Sequence, residues 1–77
     1  MVGGKIIEAK SFRGTTRFWC VDRDGDECAV LAEDPSDGIM PKIYDDIWWQ
    51  SGRIYFDNDM RSLRKIGNSF DASKHSV

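Results

Sequence analysis

Cysteine and histidine are scarce in this chain. One histidine and two cysteines in 77 residues cannot furnish a four-ligand Cys/His zinc site. No apolar run approaches the length of a membrane-spanning helix. The opening Met1-Val2-Gly3-Gly4-Lys5-Ile6-Ile7-Glu8 lacks a charged segment followed by an apolar one, so it does not read as a signal peptide and a reducing cytoplasm is the expected setting. Neither common glycine-rich phosphate loop is present, and repeats and low-complexity tracts are missing too. No cofactor is expected.

What remains is enough for one small core. A chain of 8.8 kDa has room for one domain, expected over residues 1–69, and folding removes roughly 60% of the unfolded chain's accessible surface from water. Hydrophobic residues make up 40%, and nine residues are aromatic, three of them Trp, which is too apolar for a disordered chain. The net charge of −2 conceals a division. Residues 1–17 carry Lys5, Lys10, Arg13 and Arg17 against Glu8, a net +3. Residues 18–59 carry three basic and eleven acidic residues, a net −8, and residues 60–77 return to +3 through Arg61, Arg64, Lys65 and Lys74 against Asp71. Such ends either neutralise an acidic middle or leave a bipolar surface able to steer a charged partner.

Turn signals divide the chain into short strands. Residues 5–12 read as a strand, Arg13-Gly14-Thr15 as a turn, and 16–22 as a second strand rich in aromatic and β-branched side chains. After Arg23-Asp24-Gly25, residues 26–33 return as its partner. A three-residue loop with Gly25 in the left-handed position of a bulge pairs Asp22 with Asp26, Cys20 with Cys28 and Phe18 with Val30. That register gathers Phe18, Cys20, Cys28, Val30 and Ala32 on one apolar face. A two-residue Asp24-Gly25 turn would instead set Cys20 against Ala29 and distribute the apolar residues less cleanly.

Pro35 and Pro41 mark 34–41 as loop. Beyond it the signals conflict. Ile39, Ile43 and Ile47 fall at helical spacing, yet Ile47-Trp48-Trp49-Gln50 and Arg53-Ile54-Tyr55-Phe56 flank Ser51-Gly52 as the arms of a hairpin do. Aromatic enrichment favours strand over 46–57. Residues 60–66 fit either a short helix capped by Asp59 or a last strand, and the need to pair an open sheet edge favours the strand. Residues 70–77 read as a mobile tail. The expected fold is therefore all-β or β-rich, with five or six short antiparallel strands in a bent sheet or partial small barrel. The alternative is α+β, one helix across a three- or four-stranded sheet.

Few residues suggest chemistry. Asp22, Asp24, Asp26 and Glu33 match part of a calcium-loop pattern, but Glu27 occupies the position that needs Gly. Cys20 and Cys28 read as reduced core thiols without a nearby base, not as nucleophiles. Asp45-Asp46 and Asp57/Asp59 offer carboxylates, and His75 an imidazole, with no sign of a pocket to tune them. No enzyme is expected.

The aromatic residues are the most informative. Neighbouring strand residues face opposite sides, so Trp48 and Trp49 cannot both enter one small core. An aromatic and acidic surface of Tyr44, Asp45, Asp46, Trp48, Trp49 and Tyr55 is the expected contact with a protein partner. In composition the chain resembles the short accessory or inhibitor proteins of phages and other mobile elements, a likeness of general type and not of family. The alternative is a small barrel that binds single-stranded nucleic acid through Lys10, Arg13, Arg17, Arg61, Arg64 and Lys65, provided that the first and last strands lie side by side. A sheet with two partly apolar faces and open edges also predicts a homodimer of two-fold symmetry. No membrane partner is expected.

Overall fold

Alternating apolar residues between turns make strands fold back on one another in two runs of three. The computed structural model describes residues 2–56 and 61–68. It contains β1 (Val2–Phe12), β2 (Thr15–Val21), β3 (Glu27–Glu33), β4 (Asp46–Gln50), β5 (Arg53–Tyr55) and β6 (Ser62–Asn68). All six are antiparallel in one sheet that closes into a ring in the order β1-β2-β3-β6-β5-β4. The fold is all-β, and the described residues contain no helix. Of the segments that fit helix or strand, 41–50 is strand from Asp46 on, with a turn before it, and 59–66 is strand from Ser62 on, its first two residues lying outside the described residues. Closure decides this, because Leu63 of β6 pairs with Ile54 of β5 and Leu31 of β3 pairs with Gly67 of β6. The tail at 70–77 lies outside the described residues, as do Asp57 and Asp59.

The β2–β3 hairpin adopts the bulged loop. Gly25 has φ +85°, its N–H donates to Asp22 O, and Asp22 N–H donates to Asp26 O. Asp22 Oδ1 accepts the N–H groups of Asp24 and Asp26, each at 2.9 Å. The first carboxylate of the calcium-like pattern thus serves to close the turn. The ladder sets Cys20 opposite Cys28, Trp19 opposite Ala29 and Phe18 opposite Val30. Arg13-Gly14 and Ser51-Gly52 make two further tight turns, between Phe12/Thr15 and Gln50/Arg53.

The chain makes two meanders, β1–β2–β3 and β4–β5–β6. Residues 34–45 cross between them and set β4 beside β1, a Greek-key arrangement. On this crossing Met40 packs against the core and Pro41 is buried. One consequence corrects a premise of the nucleic-acid reading. The first and last strands are not neighbours, since β1 lies between β2 and β4 while β6 lies between β3 and β5.

Ring closure hydrogen-bonds most strand edges that an open sheet would offer to a second copy. The register slips between Ile6 and Glu8, and this bulge at Ile7 bends β1. Val2–Lys5 pairs with β4 and the β2 ladder begins at Lys5, so the two overlap there, whereas Glu8–Phe12 pairs with β2 alone among the described strands. The interior holds Ile6, Phe18, Cys20, Val30, Ala32, Ile47, Trp49, Ile54, Phe56 and Leu63 in one cluster. Every strand contributes to it, which is why a barrel this small needs no covering helix.

Candidate functional site

Two outward surfaces stand apart from this core. The first follows from the crossing and the start of β4. Asp45 N–H donates to Lys42 O, and Asp45 Oδ2 accepts Lys42 N–H, which tightens residues 42–45 into a turn. Tyr44 N–H then donates to Ile6 O and Ile6 N–H to Asp45 O, fixing the turn to β1. In that position Tyr44 has φ +76°, a region bulky side chains avoid, and its side chain is 72% exposed. Ile43, beside it, and Ile39, earlier on the same crossing, are each 42% exposed. Asp45 and Asp46 are exposed, and Asp46 lies across from Lys5 of β1.

The two adjacent tryptophans separate as strand alternation requires. Trp49 belongs to the core at 5% exposure and offers a partner almost no surface. Trp48 faces outward, half-buried, with its ring stacked on Tyr55 of β5 at 6.3 Å between centroids and 20° between planes. Trp48, Tyr55 and Asp46 therefore share the outer face of β4–β5, close in the chain to Tyr44 and Asp45.

The second surface is the outer face of β1–β2–β3. Alternation from the Arg13-Gly14 turn places Phe12 opposite Thr15, Lys10 opposite Arg17 and Arg17 opposite Leu31. These residues and Trp19 line a groove of about 340 Å³. Phe12 is 68% exposed, and the Arg13 guanidinium sits 5.1 Å from its ring centroid. The Arg17 guanidinium lies 5.8 Å from the Trp19 ring, and Arg17 Nε is buried without a hydrogen-bond partner among the described residues.

The six basic residues of the nucleic-acid reading do not converge. Lys10, Arg13 and Arg17 gather at this groove, whereas Arg61, Arg64 and Lys65 sit on and beside β6. Arg64 reaches Glu33 at 3.9 Å, and Lys65 Nζ points to Ser51 O at 3.5 Å. Arg53, opposite Arg64 in the ladder, donates to Ser62 Oγ through both Nε and Nη2. Phe12, Leu31 and Trp19 complete the groove and are not in the sequence-based set, nor are Ile39 and Ile43 in the aromatic surface.

The thiols belong to the frame and not to a site. Asp22 and Asp26 form a hydrogen-bonded pair, so alternation makes Cys20/Cys28 one as well. At such positions Cβ atoms lie near 5.5 Å, against about 3.8 Å in a disulfide. Both cysteines are free. Burial, and then the neighbouring Cys28, push the Cys20 thiol from 9.0 up to about 12. Cys28 is raised as well, by burial first and by Asp22 second. Reductant is therefore expected to leave the melting temperature unchanged, and a large drop would reveal a disulfide. Alkali gives the complementary result. An unfolded thiol loses its proton near 9.0 while folded Cys20 keeps it to about 12, so the unfolded state binds fewer protons across that window and stability falls as pH rises through it. Thermal scans of Cys20→Ala should show a shallower alkaline decline than the parent.

No family model, curated protein or solved structure matches this chain.

Proposed function

We propose that the protein is a non-enzymatic binding module that docks a basic protein partner through the β3–β4 crossing and the outer face of β4. The observation that supports this reading is Tyr44, a bulky side chain held at φ +76° and left 72% exposed. Glycine or asparagine would fit that backbone without strain, so tyrosine is not there for the fold. Three of the five large apolar side chains exposed among the described residues, Ile39, Ile43 and Tyr44, lie on this one crossing. Residues 34–46 also carry Asp34, Asp37, Asp45 and Asp46 against Lys42 alone, a net −3. An apolar anchor with carboxylates beside it suits a protein surface that has an apolar pocket and Lys or Arg at its rim. The cationic face of a nucleic-acid-handling enzyme is one such surface.

Tyr44→Gly separates binding from folding. It removes the ring and relieves the backbone, so stability should stay within about 1 kcal/mol of the parent or rise. The parent should capture one protein partner, insensitive to nuclease, and both Tyr44→Gly and Asp46→Asn should lose it. Capture by both variants at the parent's level would sink the proposal. A second copy of the chain is the competing occupant of this surface. Sedimentation equilibrium of the parent at micromolar concentration should give the monomer mass, and a dimer dissociated by Tyr44→Gly would make the crossing a self-interface.

A further inference from the structure

We infer that the groove on the outer face of β1–β2–β3 is a second, separate site, for a short run of single-stranded nucleic acid. Its physical basis is independent of the Tyr44 surface. In a protein of net charge −2, the charged side chains lining this groove, Lys10 and Arg17, are both cationic. Arg13 adds a third cation above Phe12. Two acidic residues share this outer face at its edges: Glu8, across from Trp19 and itself engaged, and Glu33, across from Thr15 and engaged by Arg64 at 3.9 Å.

Positive charge alone suits any polyanion, so the aromatic groups decide the class. Phe12 is 68% exposed at the end of β1, where it contributes nothing to the core cluster. An exposed ring beside a guanidinium plane is a surface on which an unstacked base can lie, and such stacking tolerates any base. Duplex bases are not available for it. Arg17 supplies the remaining chemistry. Its guanidinium is held near Trp19 with Nε buried and lacking a hydrogen-bond partner among the described residues. Arg17 lines the groove, and a phosphate oxygen there would accept a charge-assisted bond from the outer edge of its guanidinium, since Nε itself is closed off from solvent. Thr15 is not free for base reading through its proton, because its hydroxyl donates to Phe12 O at 2.7 Å. The site therefore grips backbone and base faces without reading sequence.

Fluorescence anisotropy of a labelled oligothymidylate with the purified chain tests this. Affinity should fall with salt at a logarithmic slope near −2, since three cations each release about 0.7 counterion from a single strand. Phe12→Ala should weaken binding by about tenfold through lost stacking, with an unchanged melting temperature. Lys10→Ala and Arg13→Ala should each lower the slope by about 0.7. Tyr44→Gly should bind the oligonucleotide as the parent does, so loss of the protein-docking reading leaves this one standing, and the reverse. Absence of binding at low salt would overturn the inference. So would Phe12→Ala binding at the parent's level, or competition by poly-glutamate as effective as unlabelled oligonucleotide, which would make the groove an acidic-peptide site.

Discussion

Gly4→Ala is expected to prevent the ring from closing as it does in the native protein. A Cβ built at Gly4 would lie 2.5 Å from Val21 O and 2.8 Å from Val21 C. One at Gly3 would lie 2.3 Å from Ile47 O and 2.7 Å from Trp48 Cα. These are backbone atoms of β2 and β4, the strands on either side of β1, so no rotamer change makes room. Overpacking of yielding cores costs about 1–3 kcal/mol, and the fixed backbone here sets the expectation at the upper end or beyond. For a domain of this size that corresponds to a fall in melting temperature on the order of 15 °C. Gly3→Ala should behave alike, through the β4 side of the seam. Gly52→Ala is the control, because a Cβ there meets nothing within 4 Å. Equal melting temperatures for Gly4→Ala and Gly52→Ala would show that β1 is not held between β2 and β4 in solution.

Which parts of this fold could be read from the sequence depends on whether the determinant is local. The β2–β3 register is legible because Gly25 fixes the loop type, and period-2 alternation then assigns every pair from Asp22/Asp26 to Phe18/Val30. Ser51-Gly52 sets β4 against β5 in the same way. The partnership of β1 with β4 is not legible, since it depends on where a twelve-residue crossing (34–45) delivers the chain. Gly3-Gly4 was nevertheless a signal. Glycine inside a strand marks a close approach of another backbone, and two in succession mark one on each side. Sequence alone likewise could not show that β6 would close against β3 and β5, with β2 and β3 between it and β1. The groove itself was within reach. Across a two-residue Arg13-Gly14 turn, alternation puts Lys10 and Phe12 on the face of Arg17 and Trp19, and Leu31 follows from the hairpin register. Tyr44 was expected on the surface, but the exposure of Ile43 beside it was not legible, because it rests on a turn held to β1 by the hydrogen bonds of Ile6.

Trp48 and Trp49 give the sharpest contrast that two adjacent identical residues can offer. Alternation dictates that one faces in and one faces out, but the sequence does not say which. Trp49 is 5% exposed in the same cluster as Ile47, Ile54 and Phe56. Trp49→Ala should therefore cost about 3–5 kcal/mol by leaving a cavity the ring cannot refill, a large fraction of the stability of so small a domain. Trp48 keeps one face in solvent and stacks on Tyr55 at 6.3 Å. Its removal loses one aromatic pair, worth about 0.5–1.5 kcal/mol, together with part of its area burial. Urea titration of both variants should give Trp49→Ala the far lower midpoint. Trp48→Ala should be modestly destabilised, with the slope unchanged if the denatured state is unaffected. Comparable losses in the two variants would mean that Trp48 also packs into an interior. Since the ring has room for one of them, that interior would have to come from another chain, and the outer face of β4 would then be an interface even in the isolated protein.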